Sequence, residues 1–67
     1  MALVQTEAQF VAMANSVGFP DERAEDIHAI AAVANPADAD DLAAIVNVLG
    51  YYDEQADHLV EAGVTFA

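Results

Sequence analysis

Apolar residues recur at every third or fourth position in four separate segments of the chain. This spacing places each set on one face of an α-helix, because a helix completes a turn in about 3.6 residues. Glycine or proline stands between the segments and interrupts the helical pattern. The pattern therefore predicts an all-α fold of four short helices, each with one inward stripe. The predicted stripes are Phe10, Met13, Ala14 and Val17; Ala24, Ile27, Ile30, Ala31 and Ala34; Leu42, Ile45, Val46 and Leu49; and Ala56, Leu59 and Val60.

The first two helices carry recognisable start and stop signals. Thr6 precedes the first stripe and Gln9 follows three residues later, which is the spacing of a capping box. Gly18 is expected to end that helix, because glycine readily adopts the left-handed conformation that follows many helices. The second helix should begin near Pro20, a residue that suits a first helical turn, and should end before Pro36.

The last two helices are delimited in a similar way. Asp38 is expected to cap the third helix and Asp53 the fourth, because an aspartate side chain accepts hydrogen bonds from free backbone N–H groups. Gly50 and Gly63 should end these two helices. The apolar residues 64–67 then form a short tail, for which two positions are open: packing onto the bundle beside Leu3 and Val4, or contact with a partner.

The two halves of the chain resemble each other at an offset of 32 residues, as from Ala12 to Ala44. Residues 12–27 and 44–59 align with a Gly-aromatic turn and an Asp-Glu helix start in each. We therefore expect two pseudo-repeated helical hairpins, at about 6–34 and 38–63, within a single helical domain of residues 1–67. The matched pairs are Ala12/Ala44, Asn15/Asn47, Gly18/Gly50, Asp21/Asp53, Glu22/Glu54 and Ala24/Ala56, with Phe19 opposite Tyr51.

The segment Gly18-Phe19-Pro20-Asp21-Glu22-Arg23-Ala24 resembles the first loop of ubiquitin-associated domains, which carry a Gly-Phe turn before their second helix. In that family the Gly-Phe loop and the end of the third helix bind ubiquitin. The resemblance implies a patch at Val17, Gly18 and Phe19 together with Val46 and Leu49. The fourth helix is additional to that family's pattern.

The turns Gly18-Phe19-Pro20 and Gly50-Tyr51-Tyr52 also look like duplicated helix-hairpin-helix domains, a DNA-binding family with the pattern Gly-apolar-Gly followed by alanine four positions later. Both turns lack the second glycine, which lets the backbone approach a phosphate, and acidic residues follow where that family has bases. This resemblance implies a shared hairpin architecture without direct nucleic-acid binding.

The composition indicates a thin core. The chain has 67 residues, 57 % of them apolar, but many are alanines that contribute little buried area. Domains of this length often need disulfides, a metal or a partner subunit, and cysteine is absent from the sequence. We therefore expect a homo-oligomer or a subunit of a larger assembly. The sequence has no apolar run of the roughly 20 residues that would span a membrane.

The formal net charge is −11, from twelve acidic residues against one base, Arg23. Such a surface repels nucleic acid and anionic membranes and attracts basic proteins. Salt adaptation and solubility are alternative reasons for the charge, and many of the acids lie at helix starts, where the helix dipole favours them. A functional alternative is an acidic DNA mimic that occupies a nucleic-acid-binding site. Its acidic face would comprise Asp38, Asp40, Asp41, Asp57 and Glu61.

Catalysis has little support in the sequence. Ser16 and the two threonines occur in no recognisable nucleophile motif, and each glycine is explained by a helix end. Glu54, His58 and Glu61 share a helix face, but a carboxylate-imidazole set without a second histidine at helical spacing is a weak metal signal. We therefore expect no enzyme activity, no catalytic residues, no cofactor and no metal.

The leading hypothesis is a non-enzymatic helical protein-protein interaction module or a small accessory subunit, for example of a viral or other large particle. Aromatic residues are typical interface anchors, and the turns should present them to solvent. The N-terminal residues 1–5 do not have the pattern of a secretory signal, so the expected location is the cytoplasm or a particle assembled there. The predicted partner-binding residues are Phe19, Tyr51, Tyr52, Val17 and Leu49.

Overall fold

The computed structural model describes residues 3–67, so Met1 and Ala2, which belong to the N-terminal segment considered above, lie outside the described residues. The described chain is all-α, as the periodicity predicted, and its principal extents are 24 × 22 × 19 Å. Its helices are α1 (Glu7–Ser16), α2 (Asp21–Ala34), α3 (Ala39–Val48) and α4 (Asp53–Glu61).

Two of the predicted helix caps are confirmed. Thr6 Oγ1 accepts a hydrogen bond from the backbone N–H of Gln9 at 3.2 Å, and Gln9 Oε1 accepts from the backbone N–H of Thr6 at 3.0 Å. This reciprocal pair is the capping box that the spacing indicated. Asp38 Oδ1 accepts from the backbone N–H of Asp41 at 2.9 Å and so caps α3.

The predicted cap of α4 is wrong by one residue. Tyr52 is the N-cap, and Asp53 is the first helical residue. The side chain of Gln55 reaches back, and its Oε1 accepts the backbone N–H of Tyr52 at 2.8 Å. Because Gln55 satisfies that donor, the helix can begin without an aspartate cap, and Asp53 still benefits from the positive end of the helix dipole. Pro20 occupies the equivalent N-cap position of α2.

The ends of α1 and α3 have the same hydrogen-bonded geometry. The backbone N–H of Phe19 donates to Ala14, and that of Tyr51 donates to Val46, each at 3.0 Å. The glycine between each helix and its aromatic residue has a positive φ, 98° at Gly18 and 91° at Gly50. This is the glycine-terminated helix end that the sequence predicted for both hairpins.

The core lies between the two hairpins. α1 packs chiefly on α2, α3 packs on α4, and α2 and α3 bring the hairpins together. The stripes were predicted well except at Ala34 and Val60, which are exposed. Both residues lie in the last turn of their helix. Because α2 packs mainly on α1 and α4 packs mainly on α3, only a narrow face of each helix is covered. The buried apolar residues are Phe10, Ala14, Phe19, Ala24, Ile27, Ala31, Leu42, Ile45, Val46, Ala56, Leu59 and Val64.

The C-terminal tail packs beside the N-terminal segment, which is one of the two positions that the sequence left open. Leu3 and Phe66 form an isolated antiparallel bridge, and the backbone N–H of Val4 donates to the carbonyl of Thr65 at 3.0 Å. The side chain of Gln5 adds two hydrogen bonds to Thr65, at 2.9 and 3.0 Å. Over residues 3–67, none of the helices combines the length and the apolar character needed to cross a membrane.

Candidate protein-binding surface

The two Gly-aromatic turns contact each other, and Phe19 is buried at this contact. Its ring lies against that of Tyr51 with centroids 4.7 Å apart and planes inclined by 52°. Only 3 % of Phe19 is exposed, while Tyr51 is partly buried against the core. The expectation that both turns present their aromatic residues to solvent is therefore wrong for Phe19, because the ring fills the space between the hairpins.

Among the aromatic side chains of residues 3–67, Tyr52 is the one that is largely exposed to solvent. It is 75 % exposed at the start of α4, and Val48, at the end of α3, is 76 % exposed. Leu49 and Tyr51 lie between these two residues in the sequence, and both are partly buried. We call these four residues, Val48, Leu49, Tyr51 and Tyr52, the tyrosine-turn surface. Val17, the remaining predicted partner-binding residue, is partly buried in the first hairpin.

Val48 was missed at the sequence level because it lies outside the inward stripe of its helix. The internal repeat contains the signal that could have found it. Ser16 occupies the equivalent position of the first hairpin, and Pro20 occupies the position equivalent to Tyr52. At these two exposed positions the second turn has large apolar side chains, Val48 and Tyr52. The first turn has the small Ser16 and a proline without an aromatic ring. This difference distinguishes the surfaces of two turns that share one backbone geometry.

A groove of about 400 Å³ runs between α2 and α3. Its wall on α2 is formed by Ile30 and Ala34, and Val48 stands on the α3 side. Most of the surface in this groove is carbon, so it favours apolar ligand groups. We call it the apolar groove. Its lining residues are Ile30, Ala34, Pro36, Asp41, Ala44, Ile45 and Val48.

A second groove, of about 450 Å³, lies between α3 and α4. Three carboxylates line it: Asp40 from α3, and Asp53 and Asp57 from α4. Small residues separate them, and Ala44 lines this groove as well as the apolar one. We call it the acidic groove. Its lining residues are Ala39, Asp40, Ala43, Ala44, Asn47, Asp53 and Asp57.

The predicted acidic face is only partly assembled in space. Asp40 and Asp57 share the acidic groove, whereas Glu61 is exposed at the last residue of α4 and lines neither groove. Asp38 caps α3, and Asp41 Oδ2 accepts the backbone N–H of Ala37 at 2.9 Å while the residue lines the apolar groove. Two of the five predicted acids thus stabilise the start of α3 in addition to carrying charge.

The surface charge is almost unopposed. None of the acidic residues is buried, so the twelve carboxylates all contribute to the surface potential. The single base, Arg23, forms an ion pair with Asp26 at 3.1 Å on α2. No basic residue lines either groove. The field around α3 and α4 therefore attracts cationic groups.

His28 and Ser16, two side chains with chemically active groups, make hydrogen bonds to backbone carbonyls. His28 Nε2 lies 3.1 Å from the carbonyl oxygen of Gln5, and its ring is 5.7 Å from that of Phe10, so it holds the N-terminal segment against the core. The hydroxyl of Ser16 donates to the carbonyl of Met13. Across the described residues 3–67, no group of three or more histidine and acidic side chains is arranged to hold a metal ion, including the set around His58.

In both turns the residue at the position of the missing second glycine has no free backbone N–H. Pro20 has no N–H, and the N–H of Tyr52 is already bonded to Gln55. The patch implied by the ubiquitin-associated resemblance is also incomplete, since Phe19 and Val46 are buried. Of the other residues in that patch, Gly18 is exposed and Val17 and Leu49 are partly buried. Both family resemblances remain predictions.

The chain matches no protein-family model, no curated protein and no solved structure.

Proposed function

We propose that this chain is a non-enzymatic helical module that binds another protein through the tyrosine-turn surface, either as a free adaptor or as an accessory subunit of a larger assembly. The observation that supports this most directly is the exposure of Val48 and Tyr52, three-quarters each, at the junction of α3 and α4. Exposed tyrosine on a rigid turn is a common interface anchor.

The rest of the turn explains why these two side chains are not needed by the fold. The helix end is already closed by the backbone bond from Tyr51 to Val46, and α4 is capped by Gln55. Phe19 and Tyr51 fill the space between the hairpins. Burying a large apolar side chain contributes about 1.5–3 kcal/mol of free energy relative to leaving it exposed. For Val48 and Tyr52 a binding partner would provide that burial.

The form and lining of the two grooves support binding as the proposal. Both grooves are open to solvent, and the titratable side chains that border them are solvent-exposed aspartates. Enzyme sites instead tend to enclose their substrate.

A DNA mimic is the second candidate, and the acidic groove is the observation that favours it. Asp40, Asp53 and Asp57 place three carboxylates around one concave surface, with no base beside them. Such a surface would compete with nucleic acid for a basic protein. Its binding would be mainly electrostatic and therefore sensitive to salt.

The proposal is tested by affinity capture from an extract of the source cells, with quantification of the bound proteins. We expect a partner that survives a wash at about 1 M salt, where the Debye length is about 3 Å. Binding should fall at least about fivefold in Tyr52→Ser and in Val48→Ser, since each removes an apolar contact. Val33→Ser is the matched control, because Val33 is at least as exposed as Val48 but lies on α2 and lines neither groove.

Two results would count against the module. One is a partner bound equally by the wild type and both turn variants. The other is a nucleic-acid-binding protein that is released at about 1 M salt and is weakened by Asp40→Asn and Asp57→Asn. The second result would support the DNA mimic instead.

A further inference from the structure

The exposed face of α3 lies between the two grooves. Ala44 lines both of them, so a single small side chain separates an apolar wall from an acidic one. Ala39 and Ala43 extend the low ridge along the acidic side. Small side chains on a helix let the backbone of another helix approach closely, because no long side chain stands between the two axes.

We propose that this face binds an amphipathic helix whose apolar side enters the apolar groove and whose adjoining side presents lysine or arginine to the acidic groove. The inference rests on the proposed function, since it names the chemistry of a protein partner. Helix-in-groove recognition uses apolar anchors at helical spacing. Ile30, Ile45 and Val48 supply the apolar contacts for such anchors.

Charge complementarity decides which helix fits. Asp40, Asp53 and Asp57 approach from two different helices and face one groove, and the formal net charge of the chain is −11. An acidic or neutral helix would leave these carboxylates unopposed, whereas a basic one pairs with them and is steered toward the face. A second copy of this chain is a poor occupant, because its only base, Arg23, already pairs with Asp26.

The dimensions also fit a short helix. A helix of about 14 residues is about 21 Å long, and the described molecule measures 24 × 22 × 19 Å. Such a segment could cross the whole face with four turns. It would cover the apolar groove, the ridge at Ala44 and the acidic groove together.

The test uses three fluorescent peptides of about 14 residues, a length of nearly four helical turns. The first contains leucine and lysine at helical period. The second has the same composition rearranged to alternate, so that it is not amphipathic as a helix. The third replaces every lysine of the first with glutamate. Binding to the full chain is measured by fluorescence anisotropy at about 150 mM salt, where exposed charges are screened beyond about 8 Å.

The protein variants form a matched pair. Ala44→Arg places a long cationic side chain on the ridge, and Ala12→Arg makes the same change at the repeat-equivalent, equally exposed position of α1, outside both grooves. Both raise the net charge by one unit. We expect the helical leucine-lysine peptide to bind wild type best, to lose about tenfold in affinity with Ala44→Arg, and to lose less than about twofold with Ala12→Arg.

Several outcomes would overturn the inference. These are no binding of the helical peptide, equal binding of the rearranged peptide, tighter binding of the glutamate peptide, or equal loss in the two arginine variants. A dimer of the free protein that Ala44→Arg dissociates would assign the face to a second copy instead. Because Tyr52 lines neither groove, capture that still depends on Tyr52 would retain the binding module and reject only this partner chemistry.

Discussion

The ring of Phe19 packs against the ring of Tyr51, its counterpart in the repeat, at 4.7 Å between centroids. Equivalent residues of the two hairpins thus meet each other across the junction between the halves. The contact ties the core to the turns, since Phe19 is buried and Tyr51 is only partly so. Substitutions at these two positions should therefore have different consequences.

Phe19→Ala should destabilise the protein by about 3–5 kcal/mol, because it removes a buried aromatic ring and leaves a cavity. A chain of 67 residues has a free energy of unfolding of about 3–10 kcal/mol at typical values, so a large share of this variant should be unfolded. Tyr51→Phe keeps the ring contact and should change the free energy of unfolding by less than about 1 kcal/mol. Urea titration followed by circular dichroism measures both. A Phe19→Ala variant as stable as wild type would contradict the buried position.

A second prediction concerns the asparagines that brace the two turns. Asn15 Nδ2 donates to the carbonyl of Phe19, and Asn47 Nδ2 donates to the carbonyl of Tyr51, each at 2.8 Å. Asn15→Ala and Asn47→Ala should each cost about 0.5–1.5 kcal/mol, with the larger loss at Asn15, which is the more buried bond. Thermal unfolding of both variants tests this. A loss at only one position would show that the turns are not energetically equivalent.

A third prediction separates backbone strain from crowding at Gly50. Its φ is 91°, and a Cβ placed there would meet no atom within 4 Å, so there is room for a side chain. Gly50→Ala should still cost about 1–2 kcal/mol, because L-residues rarely adopt this conformation. Gly50→Asn should cost less, since asparagine tolerates positive φ better than alanine does. Chemical denaturation of the two variants gives the order, and Gly50→Ala equal to wild type would show that the turn relaxes without strain.

The features that the sequence predicted well are those set by neighbouring residues. Helix ends at Gly18 and Gly50 and caps at Thr6 and Asp38 depend on local backbone chemistry, and all four occur as expected. Inward stripes also follow from local periodicity. The cap of α4 was misplaced because aspartate at position 53 and the side chain of Gln55 offer competing ways to satisfy the same helix start.

The candidate site was less predictable, because exposure depends on which elements meet. Phe19 and Tyr52 both stand in a Gly-aromatic turn, and neither belongs to a predicted inward stripe. Only the packing of one hairpin against the other buries the first and leaves the second in solvent. Ala44 likewise lines two grooves because α2, α3 and α4 pack together. Periodicity within one helix could not predict this.

A final prediction concerns salt and the unbalanced charge. With twelve acids against one base and none of the acids buried, repulsion between carboxylates opposes the compact state. Raising sodium chloride from about 10 mM to 1 M shortens the Debye length from about 30 to 3 Å. If this relieves about 1 kcal/mol of repulsion, the melting temperature should rise by about 4–8 °C for a domain of this size.

Asp57→Lys is the control that separates the effect of charge repulsion on the melting temperature from the general effect of salt on the burial of apolar surface. It changes the net charge by two units within the acidic groove and places a base four residues after Asp53, a favourable spacing worth about 0.2–0.5 kcal/mol. The variant should melt higher than wild type at about 10 mM salt, and the difference should shrink as screening increases. The wild type should nevertheless be folded at low salt, because seven of its acids lie in the first turns of helices, where the dipole stabilises them. A chain that folds only at molar salt would instead identify salt adaptation as the reason for the acids, and it would remove the electrostatic argument for a basic partner.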